Sequence, residues 1–226
     1  MDILVVAAHP DDEVLGCGGT VARLSNEGHT VYSAILGEGS TSRFRQGTQG
    51  KRAALNKLRK SCEKAARILG IRKVFPYQLP DNRFDTVPML DVIRIVEDLL
   101  LNLKPSMVYT HHSGDLNIDH AITSRAVLTA ARPLKECTVR ELYAFEIPSS
   151  TEWSFGSHQP LFMPNTFMDI RQTLATKIQA MGAYESEVQE FPHPRSPEAL
   201  KATAEKWGAT SGLCAAEAFC LVWSRK

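Results

Sequence analysis

The chain opens on an apolar run, Ile3-Leu4-Val5-Val6-Ala7-Ala8, that stops at His9-Pro10 and passes at once into a helical pattern ending near Gly28. A second apolar run follows at residues 30–36. Two short runs fit for burial on both faces, separated by one helix, make a β-α-β unit. That unit leaves few folds open: its strands lie parallel in one sheet, joined by a right-handed crossover with the helix packed on the sheet.

The alternation continues. A polar, glycine-rich loop at residues 37–50 leads into a basic amphipathic helix, Lys51–Leu69, closed by Gly70. Strands are expected at 74–77 and 107–110, helices at 91–103 and 121–131, and an extended segment at 140–147. The last third is less regular: residues 149–164 are rich in aromatic, Ser and Pro residues, 169–185 read as a helix, 191–197 as a Pro/His/Arg turn and 217–223 as a final strand. The pattern belongs to the α/β class, a Rossmann-like three-layer sandwich on a mostly parallel sheet. With 226 residues, 43% of them hydrophobic, the chain suits one domain spanning 1–226.

Composition removes whole classes of function. A formal charge of +1, with Lys and Arg scattered along the chain, offers no basic stripe for nucleic acid. No run approaches the roughly 20 apolar residues of a membrane helix, and no basic leader precedes the first strand, so the expected location is cytoplasmic with no membrane span. Five cysteines without a C-x-x-C pair argue for reduced thiols. Any metal must then be held by His and carboxylates.

Two strings carry such groups, each where a strand stops, and in open α/β sheets the functional crevice lies beyond the carboxyl ends of the strands. The first is His9-Pro10-Asp11-Asp12-Glu13. Adjacent aspartates repel, so Asp11 and Asp12 beside a histidine are better accommodated around a cation. His9 and Asp12 could bind it while Asp11 stays free, and a free carboxylate beside a metal-activated water is a candidate general base. The second string runs from Thr110 through His111, His112, Asp115 and Asn117 to His120, which begins a helix and could complete the set. Two histidines and one carboxylate with an open position make a catalytic zinc arrangement, and equally the facial triad of iron oxygenases. A dinucleotide site fails in detail: Gly16-Cys17-Gly18-Gly19 falls inside the helical pattern, and Val21 stands where the third glycine belongs.

The A-H-P-D-D-E string after the first strand, with a later loop ending in D-H before a helix, resembles the PIG-L/LmbE-type deacetylase family over the first two-thirds of the chain. The resemblance implies a zinc-dependent hydrolase that removes an N-acyl group, acetyl above all, from an amino sugar, nucleotide sugar or glycoconjugate. It implies one divalent ion per chain, with iron or another divalent metal as the alternative, held by His9, Asp12 and His120, and it makes Asp11 the general base. Many members carry a histidine three residues before the last ligand to stabilise the oxyanion. This chain has Asn117, which can donate a hydrogen bond there but no proton, unless His111 or His112 substitutes. By the same resemblance Arg59 and Asp81 hold sugar hydroxyls. Arg43, His112 and His193, the last beside Arg195, complete the candidate substrate-binding set. The aromatic segment with Trp153, Phe155 and Phe162 could stack on a sugar or cover an interface, and homo-oligomeric assembly is compatible with the resemblance. The alternative is a catalytically weak sugar-binding module of the same fold, against which Asp11 speaks, because binding alone does not need it.

Overall fold

In the first strand, β1 (Asp2–Ala7), Ile3, Val5 and Ala7 enter one apolar cluster while Leu4 and Val6, with Ala8 just beyond, enter another. Successive side chains point to opposite faces, so both faces of the sheet are covered. The structure is a computed structural model that describes residues 1–39, 50–158 and 160–226. After β1 come α1 (Asp12–Asn26), β2 (Thr30–Gly37), α2 (Lys51–Leu69), β3 (Lys73–Leu79), α3 (Met89–Leu103), β4 (Met107–His111), α4 (Ile118–Ala130) and β5 (Glu141–Phe145). The chain closes with β6 (Thr166–Asp169), α5 (Leu174–Met181), α6 (Pro197–Ser211) and β7 (Ala216–Ser224). The sheet order is β3-β2-β1-β4-β5-β7-β6, with the first five strands parallel and β7 antiparallel to both of its neighbours. Apolar residues of α1, α2 and α5 pack on one face and those of α3 and α4 on the other. The three-layer α/β sandwich is the one expected. Among the described residues no helix is long and apolar enough to cross a membrane.

The differences fall in the last third. The expected helix at 169–185 contracts to the eight residues Leu174–Met181, its first residue, Asp169, instead ending a short edge strand paired with β7. The turn at 191–197 ends at Ser196, where α6 begins, a helix absent from the sequence reading. Its start is well signed: the Ser196 hydroxyl accepts the Ala199 N–H at 3.1 Å and Pro197 takes the first turn. The extended segment at 140–147 contracts to Glu141–Phe145. The helix expected at 121–131 starts earlier, at Ile118, because the Asn117 side chain caps it by accepting the Asp119 N–H at 2.9 Å.

The glycine run in α1 serves packing. A Cβ on Gly16 would lie 2.3 Å from the Phe145 ring, and one on Gly19 would lie 2.9 Å from Ile170. The helix also breaks at Cys17 (φ −148°, ψ 19°). The N–H groups of Gly19 and Thr20 donate instead to the Glu217 carboxylate at 2.9 and 2.7 Å. The buried Lys177 ammonium donates to the Leu15 carbonyl and to Glu217. A buried ion pair of this kind adds little net stability, but removing one partner strands the other charge. Lys177→Met is therefore expected to cost about 3–5 kcal/mol by urea unfolding, and the Lys177→Met, Glu217→Gln double variant to cost at least about 1 kcal/mol less than the sum of the two single variants. Strictly additive costs would show that Lys177 and Glu217 do not act as a pair.

Candidate active site

Strand order reverses direction between β1 and β4, so the crevice beyond their carboxyl ends is the switch point of the sheet. β1 delivers His9, and the turn into α1 delivers Asp11 and Asp12. The Asp12 carboxylate folds back to accept the His9 N–H at 2.8 Å. β4 delivers His111, and the first turn of α4 delivers Asp119 and His120. The His9 Nδ1 and His120 Nε2 atoms lie 3.3 Å apart, and each is 3.4 Å from Asp12 Oδ2.

The outward nitrogens of both rings face carboxylates. His9 Nε2 lies 3.0 Å from Asp119 Oδ2 and 3.5 Å from Asp81 Oδ1, and His120 Nδ1 lies 3.1 Å from Asp115 Oδ1. Asp119 is fixed in turn by the Phe84 N–H at 2.9 Å. Asp115 is fixed by the hydroxyls of Ser150 and Thr151 and by the Asn117 N–H. Carboxylates on the outer nitrogens favour the tautomers that turn lone pairs inward. Two inward lone pairs and the Asp12 oxygen then converge on one point, an arrangement that calls for a cation. His9, Asp12 and His120 are together able to hold a metal ion, and so are His9, Asp81 and Asp119.

The titration behaviour has the same origin. Burial alone would push His9 and His120 down, but hydrogen bonds and charges from Asp119, Asp12 and Asp81 lift His9 to about 10, and those from Asp12 and Asp115 lift His120 to about 9. Asp12, which burial would push up, is held well below the usual carboxylate range by His120 and His9. Without a metal, protons supply the positive charge. His111 behaves differently: its Nε2 accepts the Ala8 N–H at 2.8 Å, and burial with the neighbouring His120 charge drops it to about 3, so it is neutral.

Asp11 stands apart from this group. Its backbone is left-handed (φ 106°) and its side chain makes no cap hydrogen bond to α1. Its Oδ2 accepts from Arg195 Nη1 at 2.8 Å. Burial, seconded by the charges of Asp12, Glu187 and Glu13, raises its pKa well above the ordinary value against the pull of Arg195. The surrounding crevice encloses about 140 Å3, lined also by Leu58, Asp81, Asn82, Asn117, Ser149, Ser150 and Glu187.

Of the residues singled out in the sequence, His9, Asp11, Asp12, Asp81, Asn117 and His120 meet in this crevice. Arg59 does not: it lines a separate groove of about 380 Å3 between α2 and the β2–β3 edge, where it pairs with Glu63 at 3.3 Å. His112 turns its Nε2 to the Pro160 carbonyl at 2.8 Å, and its ring meets Phe162. His193 packs on Trp153 and accepts the Arg195 N–H at 3.1 Å, which leaves Arg195 itself to enter the crevice. Arg43 lies outside the described residues. Sequence reasoning gave no role to Asp115 and Asp119, although both sit inside the second string. It had no signal for Glu187.

A family model described as PIG-L, GlcNAc-PI de-N-acetylase, matches residues 4–131. The chain is similar to an uncharacterized deacetylase, YaiS, of Escherichia coli K12, 29% identical over 190 residues that cover 81% of this chain and 90% of that protein. It is also similar to diacetylchitobiose deacetylase of Thermococcus kodakarensis, 28% identical over 223 residues, 93% of this chain and 79% of that one. Among solved structures, the 4-carboxy-2-hydroxymuconate hydratase GalB of Pseudomonas putida KT2440 matches with a TM-score of 0.78 at 21% identity, covering 100% of this chain and 97% of its own. At that identity the likeness carries the fold and not the reaction.

A metal at the convergent point requires both imidazoles unprotonated, so binding must expel the protons that the carboxylates otherwise hold there. Zinc added to metal-free protein is expected to release protons, to bind more tightly as pH rises between about 6 and 9, and to raise the unfolding free energy by about 2.7 kcal/mol at 100 times its Kd. His120→Ala should abolish all three effects in calorimetry and thermal unfolding. An unchanged zinc effect in that variant would place the ion elsewhere.

Proposed function

Since the chain belongs to the PIG-L, or GlcNAc-PI de-N-acetylase, family, we propose that this hydrolytic N-deacetylase removes an acyl group, acetyl above all, from the nitrogen of an amino sugar or amino-sugar conjugate. The observation that carries the reading is the division of labour around Asp11: three donors converge beside it while it faces the crevice unused by them. The diacetylchitobiose deacetylase among the relatives supports the N-acetylated sugar as substrate class. The enclosed volume, about 140 Å3, lies well below the roughly 300–1,000 Å3 of sites that engulf drug-sized ligands. It suits the N-acyl end of one sugar residue, with the remainder of a conjugate outside.

His9, Asp12 and His120 would hold the metal, zinc first and iron or another divalent ion as the alternative. Bound there, it supplies Lewis acidity toward the acyl carbonyl and lowers the pKa of the attacking water. Asp11 takes the proton of that water and returns it to the departing amine nitrogen, a task for which a carboxylate pKa raised by burial is suited. Asn117 spends its Oδ1 on capping α4 and one N–H on Asn82 Oδ1, 3.1 Å away. Its second N–H serves the developing oxyanion. His111 and His112 are committed to Ala8 and Pro160, which favours Asn117 for this role. Asp81 and Glu187, both lining the crevice, would accept from sugar hydroxyls.

The test is release of free amine and acetate, in equal amounts, by zinc-loaded protein from a panel of N-acetylated sugars and nucleotide sugars. Asp11→Ala is expected to lower kcat by about 10²–10⁴ while keeping zinc, and Asn117→Ala by about 10²–10³. Zinc bound without release from any substrate would favour the sugar-binding module instead. Release that survives Asp11→Ala would reject the assigned base.

A further inference from the structure

Among the described residues five non-glycines adopt positive φ, and three of them, Asp11, Asn82 and Ser149, line the crevice. Backbone held in such regions persists only where its surroundings over-determine it. Asp11, at φ 106°, lies furthest from the ordinary basins. Left alone, an aspartate at the start of a helix adopts an extended φ and turns its carboxylate back onto the second or third helical N–H. Asp11 does neither.

One side chain accounts for the difference. Glu13 Oε2 accepts the Asp11 N–H at 3.1 Å, and Glu13 Oε1 accepts the Tyr184 hydroxyl at 2.6 Å. Glu13 and Tyr184 are 1% and 0% exposed, so the contact is dry. A glutamate in the first turn of a helix ordinarily faces water, and in the capping box it reaches the N-cap N–H from the third position. Here it reaches from the second, and a tyrosine from beyond α5 anchors its far oxygen. The other end of Asp11 is held by Arg195, whose Nη1 donates to its carboxylate at 2.8 Å.

We propose that Glu13, anchored by the Tyr184 hydroxyl, is a positioning residue that holds Asp11 in its left-handed conformation and so keeps the carboxylate in the crevice instead of capping α1. The proposal rests on the reading of Asp11 as general base. Removing the Glu13 carboxylate frees the Asp11 N–H, and the peptide relaxes to the ordinary cap with its oxygens on the helix. Glutamine preserves the clamp, because its carbonyl accepts from Asp11 and its amide donates to a rotated Tyr184 hydroxyl.

The experiment compares Glu13→Ala, Glu13→Gln and Tyr184→Phe as zinc-loaded proteins, with kcat and KM for the N-acetyl sugar hydrolysed fastest and with amide hydrogen exchange at Asp11. Glu13→Ala is expected to lose about a hundredfold in kcat with KM nearly unchanged and one zinc per chain, Tyr184→Phe about tenfold, and Glu13→Gln less than about threefold. The Asp11 amide should exchange at least about a hundredfold faster in Glu13→Ala, with Val5 in β1 unaffected. An Asp11 amide still protected in Glu13→Ala, or one deprotected with kcat intact, overturns the proposal. Parallel loss of zinc and activity in Glu13→Ala and Glu13→Gln also overturns it, by making the role structural. If wild-type protein hydrolyses no member of the panel, the deacetylase reading fails, and the exchange contrast alone then decides whether the clamp exists.

Discussion

The side-by-side parallel pairing of β1 with β4 is the constraint on which the site depends. Ile3, Leu4 and Val5 stand opposite Met107, Val108 and Tyr109, so both strands reach the same edge of the sheet together. Where the ladder ends, the Ala8 N–H is taken by His111 Nε2 in place of a backbone carbonyl. That bond closes a buried donor at the point where the chain leaves the sheet. It also places His9 over the start of α4 with residues 103 apart in sequence locked together. Shifting either strand by one residue would exchange the two faces of its side chains and separate His9 from His120.

The pairing creates an electrostatic problem that defines the chemistry. Asp11, Asp12, Asp81, Asp115 and Asp119 are all buried within a few residues of one another in space. The structure partitions them by hydrogen bonding. Asp115 and Asp119 are consumed in orienting the two imidazoles, and several hydrogen bonds with the His120 charge hold Asp115 at about 2 against the penalty of burial. Asp12 is left as an anionic donor among the inward nitrogens. Asp11, one residue away, is turned outward by its backbone and kept at a raised pKa. Two neighbours of identical chemistry thus acquire opposite proton affinities, the condition for one to ligate and the other to move protons.

Much of this was legible in the sequence because the parallel strands are covered on both faces and read as continuous apolar runs. The positions of His9 and Asp12 just past a strand and of His120 at a helix start followed from that reading, and the structure brings the three together. Residues whose roles come from tertiary pairing were harder to see. Asp119 and Asp115 look like ordinary loop acids until the imidazoles they face are in place, and Glu187 arrives from a segment with no periodicity, whereas Arg195, singled out with His193, does reach the crevice. β6 is four residues long and owes its extended form to β7. The helix α6, by contrast, was visible in principle: Ser196 with Pro197 at its start and Gly212 (φ 76°) after its end are ordinary boundary signals, obscured by the adjoining His-Pro-Arg turn.

Helix geometry explains how so many acids can share one crevice without unfolding it. α1 begins at Asp12 and α4 at Ile118, so two helix N-termini open onto the same space. Each carries partial positive charge, worth a few tenths to about 1 kcal/mol to a nearby carboxylate. Asp12 and Asp119 lie in those first turns, where that field lowers the cost of their burial. That field is fixed by the fold and adds to the charge of the two imidazoles, which the carboxylates keep protonated. Two oriented N-termini also favour the anions a deacylation generates, first an oxyanion and then a carboxylate product.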